Sequence, residues 1–378
     1  MKVVVSLRQL QTYADRFKVF LELSNHVDQL FLLTDVVDDW VREMMLNYPR
    51  AELVTLDVDR YSQEATAWIE NQVVSATDEY IVHSTFGHLV PFFERYGVQR
   101  DRRFRLVHSQ YTANHDWFDW VRHQDYPMSF KYLGQRVKSY WTDRRMAINT
   151  DGLLVMCPGH RERVSAAHGV PVQKIYALSS EVNSNFYGDT SPARVTPRRM
   201  IFVGACYKNK GLDIIFEALP RLFHLLPDLE VELYGNAVKR QKDWFINALE
   251  RVRKYGRVTM FDRVGKDTLK DAFQAADLIV SASRFEGSPR AIREALAAGC
   301  PALLSEIPGH LGLDPNRRFI SYVNTEDAMV WAEAMHDCLS RTDEEWMTAA
   351  RGGMTRMSLR HSPDAVAREL VGIYENLF

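Results

Sequence analysis

The sequence predicts an α/β protein of two doubly wound domains, each a parallel sheet with helices on both faces. Three observations carry this. Short apolar runs alternate with amphipathic segments from end to end, the pattern of strand–helix units and parallel sheets. Between Asn183 and Arg199 the alternation stops in a segment of Ser, Asn, Gly, Thr and two prolines that reads as a linker. From Ser283 to Pro301 a strand end, a glycine turn, a helix start and the approach to another strand follow one another without a break.

Taken in order, the first-half strands are expected at Lys2–Ser6, Leu30–Thr34, Ala51–Asp57, Glu79–His83, Phe104–Ser109, Gly152–Cys157 and Ile175–Leu178. Each is too short for a helix and rich in branched or aromatic residues. Amphipathic segments such as Asp35–Leu46, Ser62–Val74 and Arg161–His168 fill the gaps. After the linker the strands resume at Met200–Val203, Val231–Tyr234, Val258–Phe261, Leu278–Ser281, Ala302–Ser305 and Phe319–Val323. A last helix from Pro363 to about Asn376 carries Val366, Leu370, Val371 and Tyr374 on one stripe, as a terminal docking helix would. The expected boundaries are a first domain over 1–185, a linker over 186–198, a second domain over 199–360 and the closing helix over 361–378. Ligands of such folds bind at the carboxyl ends of the strands, here expected in a cleft between the domains.

Composition narrows the class. A hydrophobic fraction of 46% and a charged fraction of 25% are ordinary for a globular chain. A net charge of −2 argues against a globally basic nucleic-acid binder, though not against a local patch. Arg100, Arg102, Arg103 and Arg105 form such a cluster, which could meet an anionic membrane or a phosphorylated acceptor and reads more readily as a solvated edge. Cys157, Cys206, Cys300 and Cys338 lie far apart with no C-x-x-C pair, so neither zinc nor disulfides are expected and the compartment is expected to be reducing. With no signal-peptide pattern and no apolar run of membrane-spanning length, the expectation is a cytoplasmic protein with at most peripheral contact at the inner face of the membrane.

The stretch around Glu286 carries the chemistry. Gly287 lets the backbone turn close to a ligand, Ser288 suits an N-cap and Pro289 the first helical position. Helix N-termini offer free N–H groups and a positive dipole end to phosphates. Glu286 sits beside that anion site and Glu294 lies on the helix it caps. Carboxylates next to a phosphate pocket read sugar hydroxyls, a first indication of a sugar nucleotide. The plainer alternative makes Glu294 the partner of Arg290 in a surface pair worth only about 0.2–0.5 kcal/mol.

Several pieces in order resemble a known family. Phe202-Val203-Gly204 followed by Lys208-Asn209-Lys210-Gly211, then Leu233-Tyr234-Gly235-Asn236, then Val258 to Val264 with Ala276-Asp277-Leu278, then Glu286 to Glu294 running into Gly299-Cys300-Pro301, are similar to the second half of family 4 retaining glycosyltransferases of the GT-B fold. The resemblance spans about Met200 to Gly309 and is looser before it, where His108 ends a strand as a family histidine does. It implies two Rossmann-like domains facing across a cleft, with the C-terminal helix docking back. It implies transfer from a nucleotide-diphosphate-sugar, a UDP- or GDP-sugar foremost, to a glycan, lipid-linked or small-molecule acceptor, with no metal or other cofactor.

The same resemblance implies roles. Glu286 would orient the donor sugar, Lys210 would neutralise the leaving phosphate, and Glu294 would bind the ribose. Gly204, Lys208, Val264, Gly287, Ser288 and Pro289 would complete the donor site. His108 would contact the donor sugar or acceptor; His83 and His88 compete for a similar position, and His115 lies in the next loop. Two features depart from the family: Ser6-Leu7-Arg8-Gln9-Leu10 lacks a glycine-rich loop, and Ala205 stands where a basic residue is usual. Lys208 or Arg8 could compensate. Trp117 and Trp120, within an aromatic-rich stretch, are candidates for an acceptor platform or for core beneath a loop. Asp57-Val58-Asp59 has a metal-motif spelling but reads as surface. A non-catalytic sugar-nucleotide-binding subunit and a GT-B-fold nucleotide-sugar epimerase are the alternatives.

Overall fold

Residues that alternate between two apolar faces become strands buried on both sides, and those faces build the cores of two units. A computed structural model describes residues 1–7, 14–59, 61–85, 88–99, 102–110, 130–187, 194 and 198–378. The first unit runs to Glu181 and takes back the segment His361–Phe378; the second runs from Val182 to Arg360.

In the first unit the strands are β1 Lys2–Ser6, β2 Gln29–Thr34, β3 Ala51–Thr55, β4 Tyr80–Thr85, β5 Phe104–Gln110, β6 Gly152–Val155 and β7 Ile175–Ala177. They pair in parallel in the order β3-β2-β1-β4-β5-β6-β7. Helices α1 Ala14–Leu23, α2 Asp39–Met45, α3 Gln63–Ile69, α4 Val90–Tyr96, α5 Phe130–Ile148 and α6 Arg161–His168 lie between them. Val3 and Val5 belong to one core and Val4 to the other, as the twofold strand period requires.

The second unit holds β8 Arg199–Val203, α7 Leu212–Leu225, β9 Glu230–Tyr234, α8 Lys242–Val252, β10 Arg257–Phe261, α9 Lys266–Ala275, β11 Leu278–Ser281, α10 Arg290–Ala297, β12 Ala302–Ser305, α11 Pro308–Leu311, β13 Ile320–Val323, α12 Ala328–Leu339 and α13 Asp343–His361. Its parallel sheet runs β10-β9-β8-β11-β12-β13. The strand order therefore reverses between β8 and β11, where doubly wound sheets open a crevice for ligands. Every strand expected from the sequence is present, with ends shifted by a few residues.

The closing helix α14, Pro363–Glu375, belongs to the first unit. Its Val366, Ala367, Leu370 and Tyr374 are buried against Phe17, Phe20 and Leu21 of α1. Tyr374 OH lies 2.6 Å from Nδ1 of His83, whose Nε2 lies 2.6 Å from Ser109 Oγ. Burial, then the neighbouring His108, pulls the His83 imidazole down to about 3, so it is neutral at pH 7.

The basic cluster is neither a free patch nor a solvated edge at two of its positions. Arg102 pairs with Asp151, and Arg105 donates to the Leu377 carbonyl at 2.7 Å with its guanidinium 4.9 Å from the Phe378 ring centre. Arg105 holds the chain's end against β5 and Arg102 ties the start of β5 to Asp151, while Arg103 is exposed and Arg100 lies outside the described residues. Asp57 and Asp59 form a turn: Asp57 Oδ1 accepts from the Asp59 N–H, and Asp59 Oδ1 from that of Tyr61. All four cysteines are buried free thiols. Among the described residues, no helix is long and apolar enough to cross a membrane.

Candidate active site

The loops after β8 and β11, the two strands flanking the reversal, bring the central candidates together. After Val203 the chain turns at Gly204, makes one tight turn over Lys208–Lys210, and enters α7 through Gly211 at φ +70°. A Cβ on Gly211 would lie 2.1 Å from the Ala282 carbonyl oxygen. Only glycine allows both this left-handed backbone and this approach, so the lysine loop lies directly on the end of β11.

Lys210 Nζ donates to Glu286 Oε1 at 2.5 Å, and Ser283 Oγ donates to the same oxygen at 2.9 Å. The two charged side chains are 24% and 13% exposed. Burial pulls the Lys210 ammonium down, but Glu286 outweighs that and leaves it above the ordinary lysine value. Burial pushes the Glu286 carboxyl up; Lys210, then His310, more than offset this and hold it below the usual carboxylate range. The site is therefore fully ionised at neutral pH.

Arg284 fastens the two loops. Its guanidinium donates to Asp213 at 2.9 and 3.0 Å, to Glu326 at 2.9 and 2.8 Å, and to the Lys208 carbonyl. Its backbone N–H donates to the Asn209 carbonyl at 2.9 Å. Nothing in the sequence singles Arg284 out, because its two carboxylates come from α7 and from the turn before α12.

From the other side α11 closes over Glu286. A Cβ on Gly309 would fall 2.2 Å from the Glu286 carbonyl oxygen. Gly309→Ala is expected to displace Glu286, to reduce turnover by at least about tenfold and to destabilise the protein by about 1–3 kcal/mol. Turnover and thermal unfolding measured on the same preparation check this; unchanged turnover would show that the loop absorbs the clash. Next to it, His310 is fully buried. Its Nδ1 lies 2.8 Å from the Ser305 carbonyl, and its Nε2 has no hydrogen-bond partner among the described residues. Sequence reasoning missed His310; the only signal was Pro308-Gly309 opening a helix straight after a strand beside the reversal.

Gly204, Val264 and Glu294 meet at a neighbouring cavity of about 380 Å³, also lined by Ala205, Tyr234, Asn236, Arg263, Lys266 and Arg290. Glu294 is only 6% exposed, so it is not half of a surface pair. Glu286 and Lys210 lie outside this cavity's lining. Ser288 is not the N-cap. Helix α10 starts at Arg290 with Pro289 in the capping position and no side-chain cap, while the Ser288 hydroxyl accepts from Arg293. Arg293 is 4% exposed and needs an acceptor at hand, which explains the diversion. The Lys208 ammonium lies 5.7 Å from the Trp244 ring centre, and the Lys208 N–H donates to Gln241 at 2.9 Å.

In the first unit His108 is 1% exposed near the carboxyl end of β5, its Nδ1 3.3 Å from the Ser84 carbonyl. His83 is held at both nitrogens and so is not its competitor. Trp117 and Trp120, with Arg8, Tyr111, His115 and Phe118, lie outside the described residues.

Comparison with known proteins bears out the resemblance in the second domain. Residues 197–341 match the family model of glycosyl transferases group 1. The D-inositol 3-phosphate glycosyltransferase of Corynebacterium urealyticum is 25% identical over 186 residues, 47% of this chain and 42% of its own. The lipopolysaccharide core biosynthesis mannosyltransferase LpsB of Rhizobium meliloti is 27% identical over 180 residues, 46% of this chain and 50% of its own. The matched stretch thus covers half or less of each relative. Anabaena HepE, in complex with UDP and glucose, superposes with a TM-score of 0.65 at 13% identity, covering 100% of both chains. WaaG, a glycosyltransferase involved in lipopolysaccharide biosynthesis, gives 0.64 at 15% identity over 98% of this chain and 100% of its own. The fold is GT-B.

Proposed function

We propose that this chain, whose residues 197–341 match the family model of glycosyl transferases group 1, transfers a sugar with retention from a nucleotide-diphosphate-sugar. A UDP- or GDP-sugar is the donor, and the acceptor is a glycan, a lipid-linked sugar or a small molecule. No metal or other cofactor takes part, and the reaction is placed in the cytoplasm, with peripheral contact at the membrane's inner face where the acceptor is lipid-linked. The observation that carries the reading is the Lys210–Glu286 pair at the strand-order reversal, beside the cavity lined by Glu294.

Cleaving the anomeric C–O bond builds negative charge on the leaving phosphate. Fixed cations and backbone N–H groups aimed there are the largest expected contribution to catalysis. Lys210 supplies the cation, and the turns at Gly204 and Gly287-Ser288 together with the helix start that follows Pro289 supply N–H groups. Glu286 accepts from donor-sugar hydroxyls and fixes the anomeric carbon, Glu294 accepts from the ribose, and Val264 packs against the base. In the first domain His108 meets the donor sugar or the acceptor hydroxyl, and Trp117 and Trp120 serve the acceptor.

One observation favours a second reading, a sugar-nucleotide-binding subunit without turnover. Ala205 leaves one cationic position empty, and the nearest substitute, Lys208, has its ammonium over Trp244. A panel of UDP-, GDP-, ADP- and dTDP-sugars separates the two. One donor at about a hundred times its Kd is expected to stabilise the protein by about 2.7 kcal/mol and to be hydrolysed slowly without acceptor. Stabilisation without hydrolysis, persisting when acceptors are added, supports the subunit. No response to any donor overturns both.

A further inference from the structure

Glu286 is paired with Lys210 in the free protein, the same lysine that the proposed reaction needs at the phosphate. When an anionic donor draws Lys210 away, a mostly buried carboxylate is left without its counter-charge, which is costly unless something replaces it. The replacement is in place. His310 is fully buried, and Gly309 beside it is packed onto the Glu286 backbone. His310 Nδ1 is committed to the Ser305 carbonyl, so in the neutral ring Nδ1 carries the hydrogen and Nε2 is an acceptor with no partner among the described residues. We propose that His310 is a positioning residue that takes up a proton from bulk water when Lys210 moves from Glu286 to the donor phosphate. The charge of Glu286 thereby stays compensated while it grips the sugar.

The groups around His310 allow this. Burial lowers the imidazole; Glu286 and the Ser305 carbonyl oppose this, and Lys210 adds to the lowering. Departure of Lys210 removes one of the two opposing influences on protonation and leaves both favourable ones. From β13, Tyr322 OH donates to the His310 carbonyl at 3.2 Å, and burial pushes its phenol well up, so it stays neutral. Glu306, next to Ser305, is engaged by Arg317. Asp314 accepts from the Phe319 and Ile320 N–H groups at 2.8 and 3.0 Å. Ser283, which also reaches Glu286, does not titrate.

The inference rests on the donor-site reading, and calorimetry distinguishes the failure of one from the failure of the other. UDP-glucose, GDP-glucose, ADP-glucose and dTDP-glucose are titrated into the wild type at about pH 7 in buffers of different ionisation enthalpy. Their diphosphate diesters carry no group that titrates there, so any proton taken up goes to the protein. The expected result is net proton uptake by the donor that binds, with affinity falling by up to about tenfold per pH unit as pH rises. Uptake and slope should disappear in His310→Gln, which keeps a polar group but cannot be protonated. They should disappear equally in Glu286→Gln, where no charge needs compensation. Binding by the wild type without buffer dependence, or uptake that persists in either variant, overturns the proposal and leaves the donor site standing. No heat from any of the four overturns the donor site and this inference with it.

Discussion

Glu286→Gln is expected to reduce turnover by about 100- to 1000-fold while the protein stays folded. Glutamine keeps the shape and one acceptor oxygen but loses the charge that Lys210, Ser283 and His310 are arranged around. A stability cost accompanies this because the Lys210 ammonium keeps its desolvation and loses its partner. A buried pair broken this way costs about 3–5 kcal/mol; with side chains 24% and 13% exposed, a discounted figure of about 1–3 kcal/mol applies.

The sign of the pH dependence follows from the two shifts. The Glu286 carboxyl is held below its ordinary value, so its contribution is present above about pH 4 and is lost as pH falls through the lower folded value. Lys210 is held above its ordinary value, so its contribution is present at neutral pH and is lost only as pH rises through that raised value. The melting-temperature gap between wild type and Glu286→Gln should therefore be flat from about pH 5 to about pH 9 and narrow in acid. Thermal unfolding across that range is the measurement. Wild-type-like turnover in the variant would remove Glu286 from the chemistry, and a gap that persists into strong acid would remove the ion pair from the energetics.

Arg284→Ala is expected to destabilise the second unit by about 2–3 kcal/mol and to raise KM for the donor more than it lowers kcat. The guanidinium is 12% exposed and joins Asp213, Glu326 and the Lys208 carbonyl. Removing it leaves Asp213, 23% exposed, without its bidentate partner and frees the lysine loop from the end of β11. Arg284→Lys should recover little, because one ammonium cannot span two carboxylates and a carbonyl in that planar geometry. Urea unfolding with donor kinetics at several concentrations tests the pair of variants. A change in stability below about 0.5 kcal/mol would place Arg284 among ordinary surface residues. Full recovery with lysine would show that charge alone, not fork geometry, holds the loop.

Much of the fold could be read before any coordinates. Strands such as Val231–Tyr234 and Leu278–Ser281 are legible because a short branched apolar run between turn residues has few other ways to bury itself. Gly204, Lys210 and Glu286 stood out because they fall at strand ends and turns, where side chains are free to meet ligands, and Glu294 by its spacing from Glu286 along the helix that follows. The errors came where one side chain could choose between partners. Ser288 reads as a cap by local preference, yet a buried arginine claims its hydroxyl. Arg102 and Arg105 read as an edge, yet Asp151 and the chain's last residues take them.

Local sequence thus determined the two alternating domains, the glycine turns and the motif that places a lysine and a glutamate at strand ends. Those follow from short-range forces: backbone sterics, hydrophobic period and turn chemistry. Only the tertiary structure decided that Lys210 and Glu286 are one ion pair, that Arg284 is a clamp, that His83 is locked by the last helix, and that buried His310 lies beside Glu286. Each of these joins residues from different strands or loops, and hydrogen bonds and charge pairs depend on distance in space. The parallel crossovers bring together positions that lie tens of residues apart, and no spacing along the chain records that.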